Sequence, residues 1–493
     1  MKKFSFESQP ALRLLTNEQI VSLHERALRI LHNTGVKFDS AEALHILEEQ
    51  GAIVDHEGKI AKFPAPMVLN ALNQVPGSFD LYQRDGALAV ELGGNQSYFD
   101  PGSAVLKFME SDGKTVRPTV AKDLVQLSLL GDALENIDLL STALVMHDVP
   151  VEIGDVYRFY LILKNAGKAT IGGAFSVEGI KRIRDVLAAA VGGYEELRAR
   201  PRIVADICSS APLKWTHISC QNVIDCARWG LPIEFISVPM PGACSPATLA
   251  GSVLVHTVEV LSGIVLAQCV SPGAKVVYGG APMHFDMRYS TTSLSALEAT
   301  MISVCYAQMG KYYGLPTHTY ACLSDAKEID AQAGLETGMS GMLALLGGIN
   351  VISGPGVLDF CTIISMEKLM IDNDICGMVK RLGKGVAFTE ETVAEELISS
   401  LGPGGDFLST EHTFHWFKKE PYLPSAVIER SNRDVWEAMG AKTTLVRARE
   451  RVEEMLKKGT PNLLAPEKAG EVDRVMKEIM KELKIPQLPF GPQ

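Results

Sequence analysis

Two carboxylates of this chain stand where a charge is out of place: Asp100, in Tyr98-Phe99-Asp100-Pro101-Gly102, and Glu234, inside an apolar run from Ile233 to Val238. An ionised carboxylate within an apolar strand needs a partner, so Glu234 belongs either to a structural buried pair or to catalysis. Asp100 is either a site carboxylate or ordinary turn chemistry ahead of Pro-Gly. We take both as candidate catalytic groups, with His147, which follows the run 139–146. His147 and His318 flank strand ends, where they orient substrate or serve as satisfied structural histidines. Tyr98, Phe99, Phe175 and Tyr320 supply faces for a quaternary ammonium, each worth roughly 0.5–2 kcal/mol of cation–π attraction. Core packing is the competing reading of those aromatics. Ser353, at the end of another apolar run, completes the candidate substrate-binding set.

The elements that must position these residues are apolar runs separated by amphipathic helices. The runs are 139–146, 168–174, 202–210, 233–240, 275–280, 317–324 and 350–356, and helical patterns lie between them. Residues 231–282 hold one complete unit: an apolar strand, a Pro-Met-Pro-Gly break, a long helix and a second apolar strand. Its crossover makes the strands parallel, and strands so continuously apolar are covered on both faces. The repetition predicts an α/β fold of the TIM type, a (β/α)8 barrel, with the missing strand in 97–107 or 406–410. In such a barrel the site lies at the C-terminal ends of the strands. The expected organisation is a helical N-terminal cap (1–95), a barrel catalytic core (96–385), and a closing segment with two charged helices (386–493). The helix near 246–270 is apolar enough to suggest a membrane span, but His256, Glu259 and Gln268 interrupt it, which favours a buried core helix.

Composition narrows the function classes. The chain has 493 residues, 46% of them hydrophobic, and a formal net charge of −11; that balance suits a globular body with no general affinity for nucleic acid or anionic membrane. Its nine cysteines are scattered singly, with no C-x-x-C pair and no zinc-finger spacing, so we expect free thiols, no metal site and a cytoplasmic protein. The opening MKKFSFESQPALRLL lacks the apolar run of a signal peptide. Neither a P-loop, a G-x-S-x-G elbow nor an H-E-x-x-H helix is present, and the Gly-Gly pairs after the strands do not complete G-x-G-x-x-G.

Five stretches carry a family resemblance: YFDPGSAV (98–105), PMPGACSPATLAG (239–251), LAQCVSPGAKVVYGGAP (266–282), GLPTHTYACLSDAKEIDAQAG (314–334) and GGINVISGPGVLD (347–359). The chain resembles the trimethylamine methyltransferase family, whose members move a methyl group from an amine to a corrinoid protein. The resemblance implies a β/α barrel with the site at its mouth. The archaeal trimethylamine enzymes carry pyrrolysine in the region that reads SDAKEIDAQAG here, bracketed by Ser324 to Ile329, and this chain has standard residues throughout. It is similar in this to members that use quaternary amines such as glycine betaine, proline betaine or carnitine. The implied reaction moves a methyl group from a betaine to the Co(I) of a separate corrinoid (cobalamin) protein. No cofactor is expected in this chain, which lacks the D-x-H-x-x-G fingerprint, and a homo-oligomer is expected. A carboxylated betaine needs a cationic partner, for which Arg288 is a candidate if it is not simply solvated or paired on the surface. The alternatives are another barrel transferase or lyase with a carboxylate base, and a non-catalytic betaine-binding protein.

Overall fold

The computed structural model describes residues 11–459 and 464–492; most of the N-terminal segment read for a signal peptide falls outside them. The chain is an α/β protein whose apolar runs become short parallel strands. These are β1 (Tyr98–Asp100), β2 (Leu140–Ser141), β3 (Thr170–Ile171), β4 (Ile203–Cys208), β5 (Ile233–Ser237), β6 (Val276–Gly280), β7 (His318–Tyr320) and β8 (Val351–Ser353). One sheet has the order β6-β5-β4-β3-β2 and another the order β7-β8-β1. Every neighbouring pair in both is parallel. The sheets meet at both edges. Tyr278 bridges Thr317 on one side; on the other, Asp138 N and Leu139 N donate to Phe99 O at 2.8 and 3.2 Å. β1 lies in the first of the two stretches left open for a further strand, whereas 406–410 forms no strand.

Strand side chains alternate, so each strand shows one parity to each face. One parity (Phe99, Ala205, Ile207, Phe235, Val276, Tyr278, Ile352) joins the large core shared with the helices. Those helices include α1 (Val151–Asn165), α2 (Leu249–Val270), α3 (Leu297–Tyr312) and α4 (Met366–Gly383). The other parity (Leu139, Ile171, Val204, Val277, Val351) packs against Phe79, Leu81, Val90 and Leu92 of an antiparallel pair, Phe79–Tyr82 and Leu88–Leu92.

Among the described residues α2 is the one helix long and apolar enough to cross a membrane, and 78% of its apolar window is buried inside the protein. The polar residues that interrupt it serve the strands. Glu259 accepts from Ser209 Oγ (2.7 Å), Ser237 Oγ (2.6 Å) and Leu213 N (2.8 Å). His256 Nε2 lies 2.9 Å from Gly279 O, and Gln268 Nε2 donates to Ala274 O at 2.8 Å.

The N-terminal segment is not wholly helical. Helices at Asn17–Asn33, Ala41–Glu49 and Ala65–Gln74 are joined by strands Val36–Phe38, Ile53–Asp55 and Ile60–Lys62, which form a sheet with Lys214–Trp215. These strands are three residues long, too short for alternation to show against a helical background. Thr16, not Asn17, caps the first helix, accepting from Gln19 N. The charged C-terminal helices span Thr444–Lys458 and Pro466–Glu482. The second docks on α1, where Tyr160 Oη and Lys164 Nζ donate to Asp473 Oδ1 at 2.7 and 2.8 Å.

Candidate active site

At the C-terminal ends of the strands the inward parity changes from apolar to polar. Asp100 ends β1, Asp206 sits within β4, Glu234 within β5, His318 and Tyr320 on β7, and Ser353 ends β8. Register brings them side by side: Asp206 is opposite Glu234, Tyr320 opposite Ser353, and Ser353 opposite Asp100. Glycines make the room. A Cβ at Gly173 would lie 2.3 Å from Asp206 O, and one at Gly279 would lie 3.0 Å from His318 Nδ1 and 2.9 Å from Phe235 O. Gly279→Ala therefore overpacks this wall, and we expect a stability loss of about 1–3 kcal/mol in a urea titration.

Burial is graded into a funnel. Phe175 is 58% exposed, Asp206 and Tyr320 are half-buried, and Asp100, Glu234 and His318 at the base are fully buried. Ser353 Oγ donates to Asp100 Oδ2 at 2.5 Å and lies 3.0 Å from His318 Nε2. His318 Nδ1 lies 3.3 Å from Glu234 Oε1, without the alignment of a hydrogen bond from the imidazole. Asp100 Oδ1, Asp206 Oδ1 and both oxygens of Glu234 have no partner, which is costly for buried polar atoms.

Electrostatics follow from that burial. Desolvation pushes Asp100 well above the usual carboxylate range, with the Ser353 hydrogen bond opposing it. Desolvation and the neighbouring Asp206 push Glu234 well up. Asp206 is raised by burial to about 6, held back by the neighbouring Glu234 carboxyl and the charge of Arg158. Burial pushes His318 down to about 3, leaving a neutral imidazole.

Arg158, on α1, is the cation beside this group. It is 2% exposed and donates to Thr142 O (3.2 Å), Gly173 O (3.1 Å) and Asp155 Oδ1 (3.4 Å). Its guanidinium carbon is 4.8 Å from the centre of the Phe175 ring. Composition and spacing pointed to neither Arg158 nor Asp206. The available signal for Asp206 was the one used for Glu234, a carboxylate within an apolar run, R-I-V-A-D-I-C.

The structure thus gathers Asp100, Glu234, His318, Tyr320 and Ser353, with Phe175 at the rim. It does not bring the remaining candidates there. Phe99 has the opposite parity and is buried in the helix-facing core. Tyr98 shares the parity of Asp100 but lies one layer lower. It lines a cavity of ≈ 1060 Å³ with Asp138, Lys311 and Lys380 at the opposite ends of the strands. His147 is exposed on the loop after β2, its Nδ1 3.4 Å from Thr119 Oγ1. Arg288 lies on an exposed hairpin, its side chain 79% exposed and paired with Asp286 at 2.6 Å. The Ser324–Ile329 segment follows β7 at the mouth, where Ser324 Oγ donates to Glu336 Oε2 at 2.6 Å. All nine cysteines are free.

Residues 2–483 match the trimethylamine methyltransferase (MTTB) family. A trimethylamine methyltransferase of Methanosarcina thermophila is 36% identical over 451 residues, covering 90% of this chain and 93% of the relative. A trimethylamine methyltransferase of Desulfitobacterium hafniense is 31% identical, covering 95% of this chain and 94% of the relative. A glycine betaine methyltransferase of the same species is 32% identical, covering 96% and 98%. The crystal structure of the Methanosarcina barkeri monomethylamine methyltransferase is similar in fold, with a TM-score of 0.54, 13% identity and 92% and 89% coverage. Fold, polar funnel and whole-length similarity converge, and the chain belongs to the trimethylamine methyltransferase family and is a methyltransferase.

Proposed function

We propose that the chain takes a methyl group from a quaternary amine, a betaine such as glycine betaine or proline betaine, and passes it to the Co(I) of a separate corrinoid protein. The observation that carries this is the base of the funnel, where Asp100, Asp206 and Glu234 leave carboxyl oxygens without partners beneath the half-buried ring of Tyr320. A permanent cation fits such an enclosure: it pairs with carboxylates and aromatic faces and asks for no hydrogen-bond acceptor of its own. The glycine betaine methyltransferase among the relatives supports the same substrate class.

The chemistry suits an active site of standard residues. A quaternary ammonium departs as a neutral tertiary amine that keeps the electron pair of the broken C–N bond, so no acid is needed to assist it. The protein's residues hold the methyl group toward the mouth and keep water away from it. The corrinoid, carried by its own protein, supplies the nucleophile from the mouth side.

The reading includes an eight-stranded β/α barrel spanning about residues 96–385, flanked by an N-terminal cap (1–95) and a closing segment (386–493). The bonds that join the two parallel sheets at both edges support closure. We place the protein in the cytoplasm, without a resident cofactor of its own. Assembly into a homo-oligomer is supported by the helices at 390–393, 395–401, 411–416 and 433–438, which bury no residue. Phe388, Leu408 and Phe414 in the same segment are 87%, 82% and 78% exposed.

The test mixes purified protein with a reduced corrinoid protein and a panel of glycine betaine, proline betaine, carnitine, choline, tetramethylammonium and trimethylamine. We expect the methyl-Co(III) spectrum to develop with a carboxylated betaine. Methyl transfer from trimethylamine and from no quaternary amine overturns the reading.

A further inference from the structure

With Asp100 taken as the ionised acceptor, the chain Asp100–Ser353–His318–Glu234 sets where the protons sit at the base of the funnel. Ser353 has one hydroxyl proton, and it points to Asp100 Oδ2 at 2.5 Å. Ser353 Oγ lies 3.0 Å from His318 Nε2 and, its proton given to Asp100, has lone pairs alone left to offer, so Nε2 carries a hydrogen and donates it. A neutral imidazole protonated there presents a lone pair at Nδ1. That lone pair faces Glu234 Oε1 at 3.3 Å. Two lone pairs repel at this distance, so Glu234 bears a proton in the empty site. Its burial and the adjacent Asp206 act in the same direction.

The groups around this proton come from every wall. Asp100 faces it from β1, Asp206 from β4, and His318 and Tyr320 from β7. Arg158 on α1 acts on Asp206, while its own charge is shared with Asp155 at 3.4 Å. Asp155 is in turn tied to Phe175 N and Ser176 Oγ at 2.8 and 2.9 Å.

We propose that a quaternary ammonium binds by exchange: as the cation settles among Asp100, Asp206 and Glu234, about one proton leaves the Glu234–Asp206 pair for solvent, so affinity rises about tenfold per pH unit. This rests on the function proposed above and deepens it. In a dry enclosure, ionising a second carboxyl beside Asp206 is unfavourable, and so is adding an unbalanced cation. Doing both together leaves the local charge unchanged. The O–H bond of Glu234 breaks with its electron pair staying on the carboxylate. The proton passes to Asp206, which is half-buried on the solvent side, and from there to water. After methyl transfer the bound amine is neutral, so the Glu234–Asp206 pair takes a proton back from solvent and the attraction that held the cation ends.

Titration calorimetry of glycine betaine, proline betaine and carnitine between about pH 6 and about pH 8, in phosphate and in Tris, tests the exchange. We expect Kd to fall about tenfold per pH unit, and the heat to differ between the buffers by about one proton's ionisation enthalpy. Glu234→Gln is expected to flatten the slope to under about twofold per unit and to remove the buffer dependence. A flat wild-type Kd with buffer-independent heat overturns the exchange and leaves the quaternary-amine reading standing. No binding of any of the three amines overturns both. A slope that survives in both Glu234→Gln and Asp206→Asn overturns its assignment to this pair.

Discussion

Glu234→Gln is expected to weaken binding of the proposed betaine substrate at about pH 8 by about 30- to 1,000-fold, and to lower kcat/KM in parallel. Removing one partner of a desolvated charge pair costs about 2–4 kcal/mol, which converts to that range. The substitution keeps shape and volume, and Glu234 is fully buried with no partner for either oxygen. An amide there relieves the cost of burying an acid, so the empty protein should be as stable as wild type or more so. Calorimetric binding alongside a urea unfolding curve separates the two effects. A loss of affinity under about threefold would show that the ammonium does not sit against Glu234.

Asp372→Ala should remove about 3–5 kcal/mol of folding stability, the usual effect of leaving a buried charge without its partner. Lys368 Nζ, 1% exposed at the side chain, lies 2.7 and 2.5 Å from the two oxygens of Asp372 and 2.7 Å from Thr337 Oγ1. Asp372 Oδ2 also accepts from Gly356 N at 2.7 Å, which fastens the loop after β8 to α4. The variant therefore loosens the backbone just beyond Ser353 as well as stranding an ammonium. Total stabilities of domains run about 5–15 kcal/mol, so a loss of this size is easily read from a shifted urea midpoint. A loss below about 1 kcal/mol would mean that Lys368 finds another partner. Restoring an apolar pair with Lys368→Met and Asp372→Leu together should recover most of the loss.

The parallel strands were legible in the sequence because fully buried strands are continuously apolar, and each of the seven runs contains one of the observed strands. The short N-terminal strands were not, since three residues of alternation carry no periodic signal. Residue type at a strand end picked out residues that the fold brings together: Asp100, His318, Tyr320 and Ser353 meet although more than two hundred residues separate the first from the others. Glu234 was found by the mismatch between its charge and its neighbours. Parity was the step left untaken. Of Tyr98, Phe99 and Asp100, only the first and third share a face, and two residues of strand place Tyr98 a full layer below Asp100. Arg288 illustrates a different limit. A loop arginine near a strand end reads the same whether it enters a pocket or, as here, folds back on a carboxylate two residues away.

The antiparallel pair Phe79–Tyr82 and Leu88–Leu92 packs its apolar side chains against Val204, Val277 and Val351 beneath the polar layer. It acts as a floor. Asp100 and Glu234 are fully buried, and the less buried Phe175, Asp206 and Tyr320 lie on their mouth side. With a partner protein seated on that mouth, the route is blocked for small molecules. In the proposed reaction the amine is then expected to load before the partner docks, and the demethylated amine to stay until the partner departs. For the proposed transfer to a separate corrinoid protein, the floor leads us to expect a compulsory order: methyl donor first, acceptor protein second, methylated acceptor released third, and amine last.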